Sequence, residues 1–215
     1  MISCIICSRR ADISAELKES IASTIGCEYE LVVIDNSKNE YSIFSAYNEG
    51  VRRANGDVLC FMHEDILYHT QGWGNKITEL LDDELVGIIG FGGSHLAPKA
   101  PIYWSNSPYI SEFCKHNDKG RIYDCIATDY MQNYLADVVA VDGMCFYMRS
   151  SLFEQIHFDD EHYSDFHAYD MDICMQVQSI GKRVCVTNAI LIEHFWSESS
   201  LENKSYMARL DKNMY

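Results

Sequence analysis

Long apolar runs are missing from this chain. No hydrophobic stretch approaches the ~20 residues of a membrane span. The opening MISCIICSRRADI holds an apolar stretch of only about six residues, too short for the core of a secretion signal. Basic residues are also scarce: 17 Lys and Arg stand against 32 Asp and Glu, a formal net charge of −15. That balance argues against nucleic acid or an anionic membrane surface as a generic partner. It suits a site that uses a metal ion, although solubility alone also accounts for it. Proline is nearly absent, with three residues in 215, and no internal repeat or low-complexity tract is visible. Cysteine, by contrast, is plentiful. Nine are scattered along the chain, several inside apolar strand-like runs, as small buried hydrophobes are in a reducing compartment. Cys4 and Cys7 form a CxxC, but side chains so spaced on a strand face opposite ways, and no second CxxC follows at zinc-site spacing. These features point to a cytoplasmic protein. At 215 residues, with 47% hydrophobic and 23% charged, the chain can bury a sizeable core as one large α/β domain or two small ones.

What is present alternates strand and helix. ISCIICS reads as a first strand. Asp12 then opens a helix with Ile13, Leu17, Ile21 and Ile25 at four-residue spacing, stopped by Gly26. ELVVIDN is a second strand, and residues 41–55 form a helix with Phe44, Tyr47, Val51 and Ala54 on one face. DVLCFMH is a third strand, residues 73–81 are helical, and LVGIIGF is a fourth strand. The βαβαβαβ order predicts a largely parallel, doubly wound sheet. Residues 92–136 break the pattern: they hold all three prolines (Pro98, Pro101, Pro108) and a Gly-Gly pair, and they predict short elements and a mobile flap. DVVAVDGMCFYMRSSLF gives two strand-like pieces around Asp142-Gly143. A helix follows from about residue 170, with Ile173, Cys174, Val177 and Ile180 inward, and RVCVTNAILIEHFW supplies one or two last strands.

Chemistry collects at the strand ends. The run from Val58 to Met62 ends abruptly in His63, Glu64 and Asp65, an imidazole and two carboxylates. In an open α/β sheet the carboxyl ends of strands line the ligand crevice, and such groups suit a divalent cation holding a phosphate-bearing substrate. The same residues can equally begin a solvated loop. Ser8, Asp35-Asn36 and Asp142-Gly143 follow the same rule, although Asp35-Asn36 alone reads as a turn. A carboxylate at the start of an apolar-periodic helix, such as Asp170 or Asp172, is most simply an N-cap.

SCIICSRR, VVIDNSKN, SAYNEGVRRANGDVLCFMHEDI, VDGMCFYMRSSLF, AYDMDICMQVQSIGKRV and IEHF together resemble the inverting, family-2-like glycosyltransferases, in particular a short bacterial subgroup with His-x-Asp in place of the DxD metal motif. The resemblance runs from about residue 2 to 200 and is weakest over 92–136. It implies a GT-A (Rossmann-like) fold: a mostly parallel central sheet flanked by helices, with a small antiparallel acceptor-side extension. It implies a single domain over 1–215, with a nucleotide-donor half (1–91), the irregular flap (92–136), an acceptor and catalytic half (137–200) and a tail (201–215).

The implied roles follow residue by residue. Asp65 takes the place of the metal-binding aspartate, holding Mn²⁺ or Mg²⁺ against the donor diphosphate. His63 stands where the first aspartate of DxD usually stands; imidazole is a poor ligand for Mg²⁺ but acceptable to Mn²⁺. Glu64 fills the variable middle position on the donor side, and His194 is a further metal or diphosphate contact. Ser8, Asp35, Asn36 and Asn48 belong to the donor side, with Ser8 and Asp35 nearest the base and ribose. An arginine common in the family's second helix is replaced here by Tyr47. Asp142 and Gly143 line the donor-sugar or acceptor pocket. Asp170 aligns with the general base, Asp172 is the fallback, and the acidic residue usual before the base is Tyr169 here. The implied reaction moves a sugar from a nucleotide-diphosphate donor to a hydroxyl acceptor, a glycan or lipid-linked sugar, in bacterial surface polysaccharide or glycolipid assembly. It implies at most peripheral contact with the inner face of the membrane.

Two rival readings stand beside it. A sugar-phosphate nucleotidyltransferase would share the architecture, but SRRADI lacks the glycines of its loop. A catalytically silent nucleotide-sugar-binding module would fit the substituted metal motif. HFDDEHYSDFH gathers histidines and carboxylates without helical ligand spacing and reads as an acceptor contact or solvated loop. Tyr103, Trp104 and Tyr109 could stack on a sugar or simply pack locally.

Overall fold

The computed structural model describes residues 1–96, 109–118, 121–127 and 134–195. Its central strand β1 (Ile2–Ser8) pairs in parallel with β2 (Tyr29–Asp35) on one side and β3 (Val58–Met62) on the other. Beyond β3 come β11 (Cys145–Arg149), β5 (Val86–Gly90), β12 (Arg183–Thr187) and β9 (Leu135–Val138), completing a seven-stranded sheet. The sheet is mixed. β11 runs antiparallel to both β3 and β5, and β9 antiparallel to β12. An apolar run buried on both faces reads alike in either direction, so its orientation is set by the connection that precedes it.

Among the described residues, four α-helices cover the sheet. α1 (Ala15–Thr24) and α3 (Trp73–Leu80) pack Leu17, Ile21, Trp73 and Ile77 against Cys4, Ile6, Cys60, Met62, Cys145 and Tyr147. α2 (Ile43–Arg53) and α4 (Tyr169–Ser179) pack Phe44, Tyr47, Ile173 and Val177 against Ile5, Leu59, Phe61, Phe146 and Met148. Alternate residues of each strand therefore feed opposite layers, as the period of two requires. α1 is capped by Ser14, whose hydroxyl accepts from Leu17 N, rather than by Asp12; the Asp12 carboxylate instead accepts from Ile13 N. Ser42 and Ser45 form a reciprocal capping box on α2.

The Asn-x-Gly of α2 has a packing explanation. Gly50 rests on β1 so closely that a Cβ would overlap Ile5 Cγ2, and the Asn48 amide clamps Phe158, donating to its carbonyl at 2.8 Å and accepting from its N–H at 3.1 Å.

A second sheet continues the first beyond the carboxyl ends of β3 and β5. It is built from β10 (Ala140–Val141), β6 (Gly92–Ser94), β7 (Ile110–Asp118), β13 (Ile192–His194) and β4 (Ile66–Tyr68), with β8 (Arg121–Ala127) paired to β7. Within 92–136, therefore, the described residues form a long antiparallel β7–β8 hairpin rather than only short elements. The three prolines, Tyr103 and Trp104 lie outside the described residues, as does the tail 201–215. No helix among the described residues is long and apolar enough to cross a membrane.

Candidate active site

Three side chains from two distant parts of the chain meet where the two sheets adjoin. His63 and Asp65 leave the end of β3, and His194 ends β13. β13 runs antiparallel to β4 with His194 opposite Ile66, and Phe195 N donates to the Asp65 carbonyl at 2.9 Å, which brings His194 beside Asp65. His194 Nε2 stands 3.5 Å and His63 Nδ1 3.9 Å from Asp65 Oδ1. The ligand atoms of all three residues lie within 4.8 Å of one another, and this is the one such group of His, Cys, Asp and Glu among the described residues.

Asp65 Oδ1 is buried yet accepts no hydrogen bond from the described residues. A buried carboxylate oxygen left without a donor is costly. His194 Nε2 and His63 Nδ1 face this oxygen at 3.5 and 3.9 Å, longer than ordinary hydrogen bonds. Burial pushes the Asp65 carboxyl up, but His194 and then His63 outweigh it and hold the group below the ordinary carboxylate range. Burial lowers the basicity of His63. An ionised carboxylate and imidazoles with free lone pairs are the forms a cation binds. The donor set therefore fits a divalent metal held by Asp65, His63 and His194.

Around this centre the strands place further groups. His116 pairs with His194 in register across β7 and β13, and the two rings meet edge to face at 5.8 Å. His116 Nε2 lies 2.7 Å from Glu112, whose carboxylate raises the basicity of His116. On the opposite face of β13, Glu193 accepts from Asn117 at 2.7 Å and pairs with His69 at 2.7 Å, tying β4, β7 and β13 together. Glu112 and His116 lie in the segment where sequence periodicity fails. Their only signal is the alternation within EFCKHND, which is too short to single them out.

At the end of β1, the Ser8 hydroxyl donates to Glu64 Oε2 at 2.6 Å and Arg9 Nε donates to Glu64 Oε1 at 3.1 Å. Glu64 thus turns toward the first strand. Asp35 is exposed and accepts from Ser37 N in a turn; the Ser37 hydroxyl first, and then this backbone contact, lower its pKa. The buried Asn36 amide bridges both backbone groups of Tyr41, at 3.0 and 2.9 Å. The amides of Asn36 and Asn48 are therefore engaged with backbone, and these two residues shape loops. Tyr47 is fully buried in an aromatic cluster with Phe61, Phe158 and Tyr169, and its hydroxyl has no hydrogen-bond partner among the described residues.

On the other side of the crevice, the Asp142-Gly143 turn joins β10 to β11. Because β11 is antiparallel, this turn falls at the same sheet edge as the end of β3, and His63 N donates to Met144 O at 2.8 Å. Asp142 accepts from Met144 N, and Gly143 N donates to Asp170 Oδ2 at 3.2 Å. Asp170 sits inside the first turn of α4 at N2, two residues beyond the N-cap position taken by Ala168 and one beyond N1, taken by Tyr169. It is buried, and burial followed by the nearby Asp142 charge raises its pKa from 3.8 to about 7. Asp172 points elsewhere. It accepts from Gln176 at 2.9 Å and from Asp159 N, and burial raises its pKa. In the 157–167 loop, His162 pairs with Asp159 and Tyr163 stacks on Phe44, and no metal-type cluster forms there among the described residues. Eight described cysteines are free thiols.

Comparison with known proteins agrees with this arrangement. No curated protein matches the sequence. Among solved structures, GalNAc-T7 with UDP, GalNAc and Mn²⁺ superposes with a TM-score of 0.62 at 10% identity, covering 91% of this chain and 44% of that one. S. aureus TarS superposes with a TM-score of 0.58 at 14% identity, covering 93% and 37%. This chain thus spans less than half the length of either, and at such identities the likeness establishes a shared mixed α/β GT-A fold. The family model described as "Glycosyltransferase like family" matches residues 1–213. By that match over nearly its whole length, the chain belongs to the Glycosyltransferase like family.

Proposed function

We propose that this protein is a metal-dependent inverting glycosyltransferase that transfers a sugar from a nucleoside-diphosphate donor to a hydroxyl acceptor. The observation that carries the proposal is the pairing of two features at one sheet edge. One is the His63, Asp65 and His194 cluster with its unsatisfied carboxylate oxygen. The other is the buried Asp170 carboxyl, with a pKa of about 7. Family membership and a fold shared with GalNAc-T7, whose structure holds UDP and Mn²⁺, support the same reading.

Asp65, His63 and His194 would hold the cation, and two imidazoles with one carboxylate favour Mn²⁺ over Mg²⁺. A cation bound there supplies the positive charge that stabilises the departing diphosphate. Ser8, Arg9 and Glu64 form the wall of the donor pocket beside the end of β1, with Asp35 at its outer rim. Asp170 is the base. In its carboxylate form it accepts the proton of the acceptor hydroxyl while that oxygen forms a bond to the anomeric carbon. The bond from that carbon to the diphosphate oxygen breaks on the opposite face, which inverts the configuration. Burial, and then the neighbouring Asp142 charge, make Asp170 a stronger proton acceptor, and Gly143 N–H orients its carboxylate. Asp172, engaged by Gln176 and the Asp159 backbone, supports the loop instead. The surface polysaccharide or glycolipid context and the acceptor class remain part of this proposal, carried by the resemblance of the motifs.

Slow hydrolysis of a panel of nucleotide sugars tests the assignment. We expect turnover of one donor with Mn²⁺, lost by about 10²-fold or more in Asp170→Asn while nucleotide binding persists. Its rate is expected to rise with pH and level off above about pH 7, following the Asp170 carboxylate. Nucleotide binding without hydrolysis of any donor would favour a silent sugar-nucleotide module.

A further inference from the structure

We propose that Tyr169 is a positioning residue for the metal site, fixing the ring of His63 so that Nδ1 is the nitrogen presented to Asp65. This rests on the metal reading above. Tyr169 Oη lies 2.9 Å from His63 Nε2, while His63 Nδ1 is the nitrogen near Asp65 Oδ1. A ring nitrogen binds a cation through its lone pair, so the neutral ring must carry its proton on the other nitrogen. With Nδ1 toward Asp65, the proton sits on Nε2 and donates to the phenol oxygen.

Tyr169 itself is tightly held. It is 6% exposed, and its ring meets Tyr47 and Phe44 edge to face at 5.6 and 6.3 Å. Its hydroxyl reaches His63 over Gly143, where a Cβ would overlap the phenol oxygen and Cζ. The turn into α4 that aims it is made by Ala168 at φ 67°, a left-handed conformation that a non-glycine residue adopts only at a cost. The next residue is Asp170. One helical turn therefore fixes both the imidazole of the metal site and the carboxylate held by Gly143 N–H. Without the phenol oxygen the ring is free to rotate and to place its proton on Nδ1, and either change removes a ligand.

Mn²⁺ affinity, measured by the electron paramagnetic resonance of free Mn²⁺, tests this without reference to turnover. Tyr169→Phe keeps the packed ring and is expected to melt within a few degrees of the parent. It is expected to bind Mn²⁺ about tenfold or more weakly, as loss of an outer partner does elsewhere. Gly143→Ala, which displaces the phenol without removing it, is expected to weaken binding in the same way. In a His63→Ala background, Tyr169→Phe is expected to add no further loss. Unchanged affinity in Tyr169→Phe, or an undiminished further loss in the double variant, would overturn the inference. If the unaltered protein binds no Mn²⁺, the metal reading falls and this inference falls with it.

Discussion

At the scale of single residues, the most consequential chemistry is a carboxyl group held out of water. Asp170 titrates near pH 7 when folded and near 3.8 when exposed. Between those values the folded chain keeps a proton that the unfolded chain has released. Stability therefore falls as pH rises through that window, and the loss is complete above about pH 7. Asp170→Asn removes this dependence. Denaturant titrations at pH 8 are expected to show the variant more stable than the parent, by on the order of 3–4 kcal/mol. Near pH 4 the gap is expected to close. A parent whose stability is flat across this range would show that Asp170 is not held in this way. Residue pattern alone marks Asp170 as a carboxylate at a helix start, where capping is the simplest expectation, and the family resemblance is what singles it out as a base. In the fold Asp170 serves both ends: Oδ1 accepts from Met171 N at 2.9 Å in the first turn of α4, and Oδ2 reaches Gly143 N because α4 begins at Ala168 in a left-handed turn, a feature that alanine does not announce. His63, Asp65 and Glu64 are legible as a cluster at a strand end. The contacts that separate their roles, Glu64 to Ser8 and Arg9 and His63 to Tyr169, are tertiary and leave no local pattern.

At the scale of elements, what positions these groups is close backbone approach. α2 sits against β1 because Gly50 has no side chain, and its Asn48 pins the chain at Phe158. Gly50→Ala gains about 1 kcal/mol of helix propensity but must displace the fully buried Ile5. Overpacking of that kind costs about 1–3 kcal/mol. We expect a net loss of up to about 2 kcal/mol in urea unfolding, and a stabilised variant would contradict the packing described. The order of apolar runs made the early strands and helices readable, because buried parallel strands and amphipathic helices have distinct periods. It could not reveal that β11 runs antiparallel. That reversal is what delivers Asp142 and Gly143 to the same edge as His63, and it is governed by chain path rather than by residue period. Nor could irregular composition over 92–136 disclose the β7–β8 hairpin, whose strand β7 brings His116, paired with Glu112, beside His194.

At the scale of the whole molecule, two sheets adjoin, and the site lies where they meet. The seven-stranded sheet supplies the ends of β1 and β3 and the start of β11, while β13 of the second sheet supplies His194. Neither sheet alone assembles the three ligand groups, which explains why residues so far apart in sequence converge. The acidic surface, with a net charge of −15, gives no generic attraction for a diphosphate. Donor binding therefore depends on charge supplied locally, by a cation at Asp65. Calorimetric titration of UDP, GDP, dTDP and CDP into the protein, with and without Mn²⁺, tests this most directly. At least one nucleotide is predicted to bind only when Mn²⁺ is present, and Asp65→Ala is predicted to abolish that binding while the protein stays folded. Binding that is indifferent to Mn²⁺ and to Asp65→Ala, or no binding of any nucleotide, would contradict the account.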